Sequence, residues 1–211
     1  MKKIPTLFER VYENGKVVDI SSEVKPGLEW VLEGEGIATL KIDGSCCAII
    51  DGEFYKRFDA KKERKIPEGA IPCCEPDTVT GHWPHWVKVN FDDHGNKWLV
   101  EAFNNAKKSR KPLCSGTYEA VGPHFQGNPH MLKEDTLVLH GQTVISDFPR
   151  TFEGMKKYLE ETWIEGVVFW KDGKPQCKIK RKDFGYKWPI RDKTLLEYGR
   201  EYLEAVKKDE V

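Results

Sequence analysis

Ile37-Ala38-Thr39-Leu40-Lys41-Ile42-Asp43-Gly44-Ser45-Cys46-Cys47-Ala48-Ile49-Ile50-Asp51-Gly52-Glu53-Phe54-Tyr55-Lys56-Arg57-Phe58 is the stretch that decides the fold class. Short runs of apolar, β-branched and aromatic residues are punctuated by Asp-Gly pairs, which supply the positive φ angles of tight turns. Strands are expected at 37–41, 46–50 and 54–58, the last two forming a hairpin about Asp51-Gly52. Lys41 ends the first strand, at the edge of what reads as a buried sheet, where an amine can serve as a nucleophile. A Lys-x-Asp-Gly string arises by chance about once in several thousand positions. Alone, it suits a solvated lysine beside a turn equally well.

The same punctuation extends outward. Asn14-Gly15 separates runs at 7–12 and 16–20, and Lys171-Asp172-Gly173-Lys174 separates 164–170 from 176–180. Further strands are expected at 28–32, 82–89, 98–102 (the last two paired across Asp93-His94-Gly95), 116–121 and 136–139. Helical spacing is expected at 151–162, with Thr151 as N-cap and Phe152, Met155, Tyr158 and Leu159 on one face. A second helix is expected over about 192–208. The reading is a single α+β domain over 1–211, built on antiparallel sheets with flanking helices.

With 39 % hydrophobic residues and 24 aromatic ones, the chain can fill one sizeable core. No apolar run approaches the roughly 20 residues of a membrane helix, and the N-terminus lacks a signal-peptide apolar region. A cytoplasmic monomer with no membrane association is the expectation. Adjacent pairs Cys46-Cys47 and Cys73-Cys74, with Cys114 and Cys177, do not resemble a secreted disulfide framework, so reduced structural thiols are expected. A zinc site from Cys73, Cys74 and His82 or His85 is conceivable, although adjacent cysteine ligands are unusual. The zero net charge argues against nonspecific coating of nucleic acid. Basic residues nonetheless gather at 56–65, 107–111 and 178–182, which permits a localised polyanion site. Trp83 and Trp86 suit a core better than a base-stacking platform.

Charged residues recur inside apolar strands. Glu119 lies between Tyr118 and Ala120, Glu165 opens Gly166-Val167-Val168-Phe169-Trp170, and Lys178 and Lys180 share one face of an alternating run. Such charges are costly to bury unless paired or liganded, so a common polar cleft is one reading and structural ion pairs another.

The ordered set Lys41-x-Asp43-Gly44, Lys56-Arg57-Phe58, Tyr118-Glu119-x-x-Gly122, Glu165-Gly166-Val167-Val168 and Lys178-x-Lys180 resembles the covalent nucleotidyltransferase superfamily of polynucleotide ligases and capping guanylyltransferases. The motifs span about two-thirds of the chain. Lys41-Ile42-Asp43-Gly44-Ser45-Cys46-Cys47 and Gly81-His82-Trp83-Pro84 look most like its compact ATP-dependent RNA ligases, which join 5′-phosphate and 3′-hydroxyl ends. About 30 residues follow Lys180, too few for the OB domain of larger ligases.

The resemblance implies an adenylyltransferase domain with Mg²⁺ or Mn²⁺, and ATP and RNA as partners. It makes Lys41 the catalytic residue, forming lysyl-AMP. Lys178 and Lys180 would bind the α-phosphate, Glu165 the metal, and Glu119 the ribose or the metal shell. Arg57, with Lys56 beside it, would bind nucleotide or the RNA 5′-phosphate, and Asp43 and Gly44 would shape the nucleophile loop. An ordinary lysine is only about 0.04 % neutral at pH 7, a handicap of about 4–5 kcal/mol that such a site must offset. The adenine-stacking residue is not assigned; the 136–141 segment and Phe148 are the options. The alternatives are a minimal DNA ligase, another covalent nucleotidyltransferase, or an RNA-binding module with an inactive nucleotide pocket.

Overall fold

The computed structural model describes residues 3–60, 65–78, 80–108 and 112–190. The helix expected at 192–208 lies outside them. The fold is α+β, with mostly antiparallel sheets and few helices. The chain divides into two compact units, one of them Asp43–His140 and the other Ile4–Ile42 with 141–190. Lys41-Ile42-Asp43-Gly44 therefore straddles a unit boundary.

The second unit holds the hairpin β1 (Phe8–Glu13) and β2 (Lys16–Val24), strand β3 (Ile37–Lys41), helix α2 (Phe152–Glu161), and strands β10 (Gly166–Lys171) and β11 (Lys174–Lys180). Its sheet runs in the order β11-β10-β3, all antiparallel. Register sorts the sheet into two unlike faces, because directly opposed residues project to the same side. Leu40, Val167 and Ile179 form one row, and Ala38, Phe169 and Cys177 a parallel one. All six are buried. Phe169 meets Phe148 edge-on, and Phe148 meets Tyr158 of α2 in the same way. The opposite face carries Lys41, Gly166 and Lys180 in one row, and Thr39, Val168 and Lys178 in the next.

The first unit contributes the six-stranded sheet β6-β7-β5-β4-β8-β9, comprising β4 (Ser45–Ile50), β5 (Glu53–Ala60), β6 (Ile71–Pro72), β7 (Trp83–Lys88), β8 (Gly116–Val121) and β9 (Thr136–Leu139). Helix α1 (Lys97–Lys107) covers one face. Cys47, Ile49, Phe54, Tyr118 and Leu137 of the sheet pack with Ala102 and Ala106 of the helix, flanked by Leu99 and Phe103.

Two expected strands are helical. Residues 98–102 belong to α1, and 28–32 contain a 3₁₀ turn, Glu29–Val31. In the first case Leu99, Ala102, Phe103 and Ala106 fall at i, i+3, i+4 and i+7, so helical spacing wins once the segment is extended beyond Ala102. The Thr151 N-cap is present, its Oγ1 accepting from the Gly154 amide at 3.1 Å. Asn14-Gly15, Asp51-Gly52 and Asp172-Gly173 all have positive φ at both residues, as the hairpin reading requires.

Candidate functional site

In the three-stranded unit, strand pairing places Lys41 and Lys180 on either side of Gly166. Gly166 cannot become alanine in place: an added Cβ would lie 2.2 Å from the Ile179 carbonyl oxygen. Between the lysines the row is therefore bare backbone. Lys41 Nζ donates to Glu165 Oε2 at 2.5 Å, and the two side chains are 21 % and 11 % exposed. This exposure limits solvent screening without removing it. Glu165 is further fixed through its backbone, whose carbonyl accepts from Arg181 N–H at 2.9 Å.

Strand β11 is held on its outer side by residues 5–7, with Lys178 N–H donating to Pro5 O and Lys178 O accepting from Leu7 N–H. Lys180 N–H donates to Asp183 Oδ2 at 2.8 Å. Arg181 leaves the basic run: it is buried, and its guanidinium serves the carbonyls of Leu159, Thr162 and Lys187. The third basic cluster thus splits into sheet-face lysines and a structural arginine.

In the six-stranded unit a second polar row crosses the sheet. Cys46 opposes Glu119, and Arg57 opposes Trp86 on the far strand. The Cys47–Lys56 pairing places Arg57 beside Cys46 one step along. Glu119 is held at both oxygens: Oε1 accepts from the Gly44 amide at 3.2 Å, and Oε2 lies 2.8 Å from His140 Nε2. His140 Nδ1 is in turn 3.0 Å from Thr117 Oγ1. Gly44 is needed for this approach, because a Cβ there would lie 2.2 Å from Ala120 O and 2.9 Å from Glu119 Cγ. Asp43 is anchored by buried His130, whose Nε2 is 3.0 Å from the Asp43 amide nitrogen and 3.1 Å from its carbonyl oxygen. That nitrogen serves one of the two at a time.

Arg57 donates from Nε to Asp59 Oδ1 at 2.8 Å, and strand register sets it beside Cys46. Burial works against its charge, but Asp59 and Cys46 outweigh burial and hold its pKa up. The Cys46 thiol is pushed up to about 12, chiefly by burial and then by the field of Glu119, with Arg57 opposing both. Lys56 does not accompany Arg57. It faces the α1 side, where its Nζ donates to Asn96 Oδ1 at 2.6 Å.

Of the divalent ions implied, Mg²⁺ fits the surroundings of Glu165, a hard carboxylate just before β10, beside a sheet face whose lysines suit phosphate oxygens. Glu119 is different. Among the described residues, Cys46, Glu119 and His140 form a three-residue group with ligand atoms all within 4.8 Å of one another. Thiol and imidazole are donors Mg²⁺ does not choose. The cysteines expected to pair with His82 or His85 form no such group among the described residues.

No family model matches the chain. Its sequence is similar to RNA ligase 1 of Danio rerio. The two are 26 % identical over an alignment covering 75 % of this chain and 70 % of the fish protein. The likeness is distant. No helix among the described residues is long and apolar enough to cross a membrane.

The site residues named from sequence thus fall into two groups: Lys41, Glu165, Lys178 and Lys180 in one unit, and Asp43, Gly44, Arg57 and Glu119 in the other. His130 and His140 escaped the sequence reading. His140 is set beside Thr117 by strand register, through a backbone bond from its N–H to Thr117 O, whereas His130 lies in the irregular segment between β8 and β9. Phe148 is only 4 % exposed and packed on two rings, so it is core rather than a platform for adenine. Trp86 is also core, while Trp83 donates its indole N–H to Cys74 O.

Proposed function

We propose that the chain is an ATP-dependent RNA ligase that joins RNA 5′-phosphate and 3′-hydroxyl ends through lysyl-AMP and RNA-adenylate intermediates. The observation that carries this reading is the Lys41–Glu165 pair, set on the same sheet row as Lys180 with only Gly166 between the lysines. The distant similarity to a protein named RNA ligase 1 supports the choice of RNA as acceptor.

In the reaction proposed, the neutral Lys41 amine attacks the α-phosphorus of ATP. A nitrogen–phosphorus bond forms, the bond to the β-phosphate oxygen breaks, and pyrophosphate leaves. Glu165 is the carboxylate within reach of the ammonium proton that must first depart. Lys178 and Lys180 stabilise charge developing on the α-phosphate. Arg57, Glu119, Asp43 and Gly44 bind nucleotide and shape the loop, as the resemblance implies. Glu165 would hold Mg²⁺ or Mn²⁺, which when bound supplies charge neutralisation at the phosphates. The RNA 5′-phosphate then takes AMP from Lys41, and the 3′-hydroxyl displaces AMP to close the phosphodiester. Such an activity suits RNA repair in the cytoplasm by a monomer of one adenylyltransferase domain.

Incubation with labelled ATP and Mg²⁺, followed by denaturing electrophoresis, tests the first step. Label is expected on the wild-type chain and none on Lys41→Ala. An unlabelled wild type, or a labelled Lys41→Ala, defeats the covalent mechanism. Label from GTP alone would indicate a guanylyltransferase. Adding 5′-phosphorylated single-stranded RNA or DNA tests the acceptor: joined RNA is expected only when the 5′-phosphate is present, and joining of DNA alone would make the protein a DNA ligase.

A further inference from the structure

Glu119 stands in surroundings that a nucleotide-binding carboxylate does not need. Its cross-strand partner on the same sheet face is Cys46, and its closest side-chain partner is His140. The donors come from three neighbouring strands or their ends: β4 gives the thiol, β8 the carboxylate, and the residue following β9 the imidazole. We propose that Cys46, Glu119 and His140 form a binding site for a borderline divalent transition-metal ion of the Zn²⁺ or Co²⁺ class.

Three features support the assignment beyond proximity. The donor set mixes sulfur, nitrogen and oxygen, the combination that Zn²⁺ accepts and Mg²⁺ avoids. Thr117 Oγ1 engages His140 Nδ1, so the ring is held with Nε2 toward Glu119, as outer-sphere partners hold metal-binding histidines. The Gly44 amide occupies the other oxygen of Glu119, leaving Oε2 to face Nε2. The 2.8 Å contact between those atoms is bridged by a proton in the metal-free protein. An ion replaces that proton, and the Cys46 thiol proton leaves to solvent on coordination. Tetrahedral Zn²⁺ spaces its donor atoms by about 3.5 Å, so on coordination the 2.8 Å Glu119–His140 contact opens and the Cys46 sulfur, which lies within 4.8 Å of both, takes its place beside them. Water completes the fourth position.

This inference is tested with metal alone, so its failure is distinct from failure of the ligase reading, in which Glu119 binds nucleotide and an ion held here competes with that nucleotide. The purified chain is titrated with Co²⁺, and absorption is followed through the visible and near-ultraviolet. A visible ligand-field band with a thiolate-to-cobalt band is expected at one ion per chain, displaced by Zn²⁺ and retained in excess Mg²⁺. Cys46→Ser should remove the thiolate band and weaken binding by more than about 100-fold, while Thr117→Val weakens it by about 10-fold. His140→Gln should weaken binding comparably to Cys46→Ser, and circular dichroism checks that each variant folds. The double substitution of Cys73→Ser with Cys74→Ser should leave the spectrum unchanged. Absence of the bands in the wild type overturns the proposal. So does their persistence in both folded Cys46→Ser and His140→Gln, their loss in the Cys73/Cys74 variant, or displacement by equimolar Mg²⁺.

Discussion

The three-stranded and six-stranded sheets each present a carboxylate beside a polar cross-strand row, yet they treat it in opposite ways. Glu165 is matched with a lysine amine, whereas Glu119 is matched with an imidazole, a backbone amide and a neighbouring thiol. One is a hard, fully ionic arrangement in a sheet face lined by lysines. The other is a borderline arrangement whose charge is shared through hydrogen bonds. The difference teaches that a carboxylate at a sheet face takes its chemistry from the side chains and backbone around it, not from its own identity.

Exchanging each carboxylate for its amide should break the comparison most sharply. Glu165→Gln keeps the shape but removes the group able to accept the Lys41 proton, so formation of labelled lysyl-AMP should slow by about 100-fold or more. Glu119→Gln should slow the same step less, because its proposed part is binding. It should act mainly through the ATP concentration needed for half-maximal labelling. Equal losses in rate at saturating ATP would erase the distinction between the two carboxylates. The Lys41–Glu165 pair also contributes to stability. Its removal by Glu165→Gln should lower the denaturation free energy by about 1–2 kcal/mol, discounted for the partial exposure of both partners.

A second test concerns how closely backbone approaches each carboxylate's strand. Gly44→Ala would force a Cβ against Ala120 O and Glu119 Cγ, so urea unfolding should report a loss of about 1–3 kcal/mol. At Gly52, in the hairpin turn, an added Cβ meets nothing within 4 Å but φ is +79°. Gly52→Ala should therefore cost about 1 kcal/mol, through backbone strain alone. If Gly44→Ala proves the milder of the two, the tight seating of the 43–44 segment on β8 is wrong.

Much of this contrast was legible in the chain, and what was not has a physical cause. The turns at Asn14-Gly15, Asp51-Gly52 and Asp172-Gly173 could be read because left-handed backbone restricts residue choice locally. The shared face of Lys178 and Lys180 on β11 followed from period-two alternation. Trp98-Leu99-Val100 was ambiguous because a short apolar run has no period of its own, and only Ala106 makes it helical. The Lys41–Glu165 contact joins residues 124 positions apart, and Cys46–Glu119 depends on a register that no local pattern encodes. His140 was hidden for the same reason: the irregular stretch between β8 and β9 carries no signal for which residue returns beside Thr117.

The smallest effect separates the two cysteines of the Cys46-Cys47 pair from an exposed thiol. Cys46 is held protonated to about pH 12 by burial and the Glu119 field, whereas its unperturbed value is 9.0. The folded state thus binds this proton more tightly than the unfolded chain. The resulting stabilisation is complete below pH 9.0 and is lost progressively as pH climbs toward about 12. Cys47, on the α1 face, is pushed up by burial in the same direction. Over that window the wild type should lose more urea resistance than Cys46→Ala, by comparison of unfolding midpoints. At pH 8, iodoacetamide should alkylate exposed Cys114 before Cys46, read by peptide mass spectrometry. Early alkylation of Cys46 would mean that its sulfur carries thiolate without metal, and the six-stranded row would then be as ionic as the Lys41–Glu165 pair.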